Sequence, residues 1–150
     1  GMAAIHPAGG ARMLEGAAKA RDASGAGIKL LGVTVLTSMD DGDLEQTGCE
    51  TPVERLVLKR ALLARGCGLD GVIASPLEIS LIRGECPKPF LIVTPGIRPS
   101  SGAGDDQKRV ATPESAVKNG ADYIVVGRPV LNAADPAKAA ETINSEIMSL

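Results

Sequence analysis

The chain has 150 residues, 44% of them hydrophobic, which predicts one substantial core and a single domain or a part of one. A formal net charge of -2 and only two aromatic residues, Phe90 and Tyr123, provide neither a basic field nor a stacking platform, which argues against nucleic-acid binding. No apolar run approaches the roughly 20 residues of a membrane helix, so a cytoplasmic protein with no membrane partner is expected.

In chain order, Met2 to His6 reads as a short strand, followed by Pro7-Ala8-Gly9-Gly10 and a helical stretch. Ile28 to Leu36 is the next apolar run, and Thr51-Pro52 then opens a helix with Glu54 three residues on, completing a capping box. Gly66 is placed to stop that helix. Gly71 to Ala74 follows as a strand, and Ser75-Pro76 with Glu78 repeats the capping box. Phe90 to Val93 is the fourth strand, Thr112-Pro113 starts a helix ending near Gly120, and Tyr123 to Val126 is the fifth strand. Asp135-Pro136 opens the last helix, whose Ala137, Ala140, Ile143 and Ile147 form one apolar stripe. Each X-Pro start puts a side-chain oxygen at the N-cap and a proline where a missing N–H costs nothing.

Nearly continuous apolar strands alternating with helices predict an α/β fold with a parallel sheet, right-handed crossovers and strands covered on both faces. The alternation alone does not separate a barrel from an open sheet. About five βα units cannot close an eight-stranded barrel, so a barrel reading implies that about three units lie elsewhere.

In parallel βα folds the residues just beyond each strand gather at one rim, where polar groups meet ligands. Here these are Thr37 and Ser38, then Thr94-Pro95-Gly96-Ile97-Arg98, then Gly127-Arg128-Pro129. Arg128 offers a fixed bidentate cation after a glycine with no Cβ in the way, which suits a phosphate dianion; a rim salt bridge is the plainer alternative. Thr37 and Ser38 offer hydroxyls to a heterocycle edge or, equally, cap the turn that follows. Ser100 to Asp106, flanked by Arg98 and Gln107, reads as a surface connection or, better, as a lid carrying a cation and an amide onto a phosphate. Lys29 lies at the far end of its strand and Ser75 is an N-cap, so neither is a catalytic candidate. Cys49, Cys67 and Cys86 contain no C-x-x-C pair and His6 is the only histidine, so no disulfide framework or zinc site is expected. Buried or idle thiols and a hydrogen-bonded core histidine are the expected roles.

Taken together, His6-Pro7-Ala8-Gly9-Gly10-Ala11-Arg12-Met13, Val33 to Met39, Cys67-Gly68-Leu69-Asp70-Gly71-Val72, Val93 to Pro99, Gly104-Asp105-Asp106-Gln107 and Val126-Gly127-Arg128-Pro129 form a specific pattern. In this order and spacing the chain resembles bacterial orotidine 5'-phosphate decarboxylases from their fourth strand onward. The resemblance implies a TIM (β/α)8-barrel family member, present here as an incomplete barrel in one domain over residues 1–150. It also implies conversion of orotidine 5'-phosphate to UMP and carbon dioxide, no metal or organic cofactor, and a homodimer.

By the same resemblance, Arg98, Gln107, Gly127 and Arg128 surround the substrate phosphate, Thr37 and Ser38 lie near the pyrimidine or ribose, and Pro95 joins the substrate-binding set. The family's catalytic D-x-K-x-x-D motif is not in this sequence. Its nearest imitation, Asp106-Gln107-Lys108, runs on into Arg109-Val110-Ala111, so no catalytic residue is assigned. Two other readings stand beside this one: a non-catalytic half-barrel that binds phosphorylated ligands or self-associates through open sheet edges, and a related phosphate barrel acting on sugar phosphates.

Overall fold

A computed structural model describes residues 1–98 and 109–149. Strands β1 (Met2–Ile5), β2 (Lys29–Val33), β3 (Gly71–Ile73), β4 (Leu91–Thr94) and β5 (Tyr123–Ile124) form one sheet in chain order, with all neighbours parallel. Between them run α1 (Ala11–Ser24), α2 (Asp41–Gln46), α3 (Val53–Gly66), α4 (Ile79–Glu85) and α5 (Pro113–Lys118), and α6 (Arg128–Leu131) and α7 (Pro136–Met148) follow. Crossovers of one hand between strands in chain order place the connecting helices on one face. The contacts of α1 with α3, α3 with α4, and α5 with α7 agree with that layer.

The core is the seam between that layer and the sheet. Leu14 of α1, Val57 and Ala61 of α3, and Ile79 and Ile82 of α4 are fully buried, as are Val72 of β3 and Ile92 of β4. Each large aliphatic side chain removed from water there contributes about 1.5–3 kcal/mol. The expectation of covered strands holds for β3 and β4 but not for the outer strands. Met2 on β1 is 44% exposed and Tyr123 on β5 is 51% exposed, because each outer strand has a neighbour on one side only among the described residues.

Close strand contact explains one glycine. A Cβ on Gly71 would lie 2.3 Å from the Leu91 carbonyl oxygen and 2.6 Å from the Leu91 Cβ, so β3 and β4 approach only because that side chain is absent.

Two helix starts differ from expectation. Helix α3 begins at Val53 with Pro52 as N-cap, and the Val53 N–H donates to Asp41 Oδ1 at 2.7 Å, so the cap comes from the first residue of α2 and not from Thr51. After Ser75, whose hydroxyl accepts from the Leu77 N–H at 3.2 Å, Glu78 pairs with a distant arginine, described below. Thr112 and Asp135 do cap α5 and α7, accepting from the Ser115 and Lys138 N–H groups at 3.2 and 3.0 Å. On α7, Ile143 is buried and Ala140 and Ile147 are half-buried, but Ala137 is exposed, so the stripe begins a turn later than predicted. His6 is exposed and not a core residue. Cys67 and Cys86 are buried and Cys49 is half-buried, all as free thiols.

The amino-terminal edge of the sheet carries a repeated device. Asp70 exchanges two hydrogen bonds with Leu30: its N–H donates to the Leu30 carbonyl at 2.9 Å, and its carboxylate accepts from the Leu30 N–H at 2.8 Å. Arg21 of α1 and Lys29 complete the site, the latter at 3.0 Å. Asp122 does the same to Ile92, at 2.9 and 2.8 Å, with Arg83 of α4 at 2.7 Å and Lys88 at 3.4 Å. Arg83 also donates to the Phe90 and Gly120 carbonyls, both at 2.7 Å. These aspartates lock alternate strands to the helix layer at the end remote from the candidate ligand rim.

Candidate functional site at the carboxyl rim

The register makes Val33, Ile73, Val93 and Tyr123 level across the sheet, so the residues that follow them emerge along one edge. Thr37 and Ser38 follow β2, Pro95 and Arg98 follow β4, and Gly127 and Arg128 follow β5. Six of the seven sequence-predicted site residues therefore lie on one rim. Gln107 and the expected lid, Ser100 to Asp106, lie outside the described residues.

Beyond β2, Thr34 is buried and its hydroxyl donates to the Ile73 carbonyl at 2.9 Å. A turn closed by Met39 N–H to the Leu36 carbonyl, at 3.0 Å, then presents Thr37, which is buried, and Ser38, which is half-buried. Arg60 of α3 donates to the Thr34 carbonyl from behind.

Beyond β4, Pro95 is half-buried and Gly96 takes a φ of +76°, a left-handed turn that glycine adopts without strain. The turn sends Ile97 alongside Ala111 in a parallel bridge, with Arg98 N–H to the Ala111 carbonyl at 2.9 Å and Ala111 N–H to the Gly96 carbonyl at 3.3 Å. Arg98 is half-buried, and its guanidinium donates to the Ile97 carbonyl at 2.8 Å. Thr94 is completely buried and its hydroxyl oxygen has no hydrogen-bond partner among the described residues.

Beyond β5, Val125 N–H donates to the Thr94 carbonyl at 2.8 Å, holding this strand end against the β4 turn. Gly127 is the N-cap of α6: its carbonyl accepts from the Val130 and Leu131 N–H groups, both at 3.0 Å. Arg128 is exposed at the first position of that short helix, with Pro129 after it. Sequence reasoning placed these residues at the rim just beyond the strand and missed the helix.

It also missed the rim's most buried charges. Arg109 and Glu78, 8% and 2% exposed, pair at 2.6 Å, and Arg109 also donates to the Leu36 and Val35 carbonyls at 2.9 and 3.3 Å. Burial pushes the Glu78 carboxyl above its ordinary value, against the pull of Arg109. No local signal marks this pair, whose members are 31 positions apart. Among the described residues no group of three or more His, Cys, Asp or Glu is placed to hold a metal ion, and no helix is long and apolar enough to cross a membrane.

A parallel sheet in chain order, helices in its crossovers and polar turns along its carboxyl edge define part of a TIM-type (β/α) barrel. Residues 1–143 match the model of the Orotidine 5'-phosphate decarboxylase / HUMPS family, and the chain belongs to that family. It is 51% identical over 151 residues to the orotidine 5'-phosphate decarboxylase of Trichlorobacter lovleyi, covering 99% of this chain and 63% of that protein. It is 51% identical over 148 residues to the one from Geobacter sulfurreducens, covering 97% and 62%. Among solved structures, orotidine 5'-phosphate decarboxylase from Lactobacillus acidophilus superimposes with a TM-score of 0.82 at 39% identity, covering 97% of this chain and 62% of that one. The chain thus spans less than two thirds of the length of these relatives.

Proposed function

We propose that this chain is the C-terminal portion of an orotidine 5'-phosphate decarboxylase, supplying the phosphate-gripping half of the site that converts orotidine 5'-phosphate to UMP and carbon dioxide in pyrimidine synthesis. Family membership over residues 1–143, together with the carboxyl-rim placement of Thr37, Arg98 and Arg128, carries this reading. In it, Arg98, Gln107, Gly127 and Arg128 hold the phosphate of orotidine 5'-phosphate or UMP, and Thr37, Ser38 and Pro95 border the pyrimidine and ribose. The working protein is a cytoplasmic homodimer that needs no metal or organic cofactor, and residues 1–150 are the C-terminal part of its single barrel domain.

Energetics divide the labour. A charge-assisted hydrogen bond contributes about 1.5–3 kcal/mol, so a few rim donors suffice for a measurable grip on a dianion. Enzymatic acceleration takes roughly 8–23 kcal/mol, and a grip felt equally by substrate and transition state supplies none of it. Proton delivery to the carbon that loses carbon dioxide requires an acid within reach, and the family's D-x-K-x-x-D lysine is not in this sequence.

Mixing this chain with a polypeptide carrying the family's amino-terminal βα units and following carbon dioxide release from orotidine 5'-phosphate tests the reading. The chain alone is expected to be inert and the mixture active. A soluble, associated mixture that releases no carbon dioxide contradicts it.

A further inference from the structure

We propose that Arg109 and Glu78 act together as a positioning clamp that couples the two arms of the ligand site, the Thr37 turn and the Arg98 turn. The inference rests on the ligand reading given above. Neither residue is placed against ligand; both act through the backbone they hold.

The geometry is a single buried guanidinium reaching three loops. Its donors meet the Val35 and Leu36 carbonyls, and the Leu36 carbonyl also closes the turn that carries Thr37. Its ion pair with Glu78, in the short 3-10 helix Pro76–Glu78 after β3, fixes it against the centre of the sheet. Its own backbone lies two residues before Ala111, which exchanges hydrogen bonds with Gly96 and Arg98. One rigid, planar, permanently charged group therefore sets the spacing between the hydroxyl arm and the cationic arm. Lysine keeps the charge but offers a single tetrahedral head, which cannot meet Glu78 and two carbonyls in this fork.

Coupling of this kind matters most to a ligand that uses both arms at once. A nucleoside monophosphate gains from their fixed separation, whereas uridine or inorganic phosphate engages one arm each. The test compares the wild-type chain with Arg109→Lys and Glu78→Gln, each shown to be folded by circular dichroism, and titrates UMP, uridine and inorganic phosphate into each. Arg109→Lys is expected to weaken UMP by about tenfold or more, as ångström-scale misplacement does, and to change uridine and phosphate much less. Glu78→Gln, which keeps an oxygen acceptor, is expected to fall between wild type and Arg109→Lys.

A ligand-free readout accompanies this. Amide hydrogen exchange at Met39, Arg98 and Ala111 should quicken together in Arg109→Lys while that of Val72 and Ile92 is unchanged. An Arg109→Lys chain with wild-type UMP affinity and wild-type exchange at these amides overturns the clamp and leaves the ligand reading standing. Wild-type chain that binds UMP no better than uridine overturns the ligand reading, and the exchange pattern still decides whether the three loops are coupled.

Discussion

At the scale of single residues, charge burial divides into two kinds with opposite pH behaviour. Burial pushes Asp70 and Asp122 upward, but the Leu30 and Ile92 N–H groups and the flanking Arg21, Lys29, Arg83 and Lys88 outweigh it, leaving both below the ordinary 3.8. A carboxyl depressed on folding contributes stability that is fully present above its unfolded value and is lost as pH falls through its folded value. The molecule is therefore expected to lose stability below about pH 3.8. In Asp70→Asn the acid limb should be shallower, with a loss at neutral pH of about 1–3 kcal/mol in urea unfolding. Glu78 is raised on folding, so its ionisation works against the fold as pH climbs past its ordinary value, and Arg109 offsets only part of that cost. Arg109→Ala strands the buried carboxylate and is expected to cost about 3–5 kcal/mol, measured the same way. The rim hydroxyls and arginines were legible in the sequence because strand ends announce themselves. Glu78 was not, because its spacing from Ser75 imitates a capping box while its partner lies across the fold.

At the scale of elements, the strands were legible because short β-branched runs bounded by Gly and Pro have few alternatives. Helix α2 was not: of Asp41–Gln46 only Leu44 is buried, and its start is a box between Asp40 and Asp43 with no apolar periodicity to announce it. Helix α6 was hidden for a related reason, since four residues after a glycine read as a turn. The start of α3 shows the limit most sharply. Its cap is Asp41, 12 positions earlier, so a local motif at Thr51 could not reveal it. Asp41→Ala is accordingly expected to cost about 1 kcal/mol and Thr51→Ala to be close to neutral, whereas Thr112→Ala should cost about 1 kcal/mol, read from melting curves. Gly71→Ala forces β3 away from Leu91 and is expected to cost about 1–3 kcal/mol, in the range of an overpacked core.

At the scale of the whole molecule, the two edges of the one sheet are built differently. The amino edge is tied by Asp70 and Asp122, and the carboxyl edge carries short polar turns held by Arg60, Arg109 and Glu78. The polar rim was legible from the alternation of strand and helix, while the choice of barrel over open sheet came only with the family resemblance, because both architectures share the same local pattern. On the proposed function, this chain grips a nucleotide's phosphate and lacks the proton donor for the chemistry. Calorimetric titration of UMP and uridine into the chain, beside Arg128→Ala, tests it most directly. UMP is expected to bind at least about tenfold more tightly than uridine, the equivalent of one charge-assisted contact, and Arg128→Ala to remove most of the difference. Equal affinities for the two ligands in the wild-type chain, or an undiminished preference in Arg128→Ala, would contradict it.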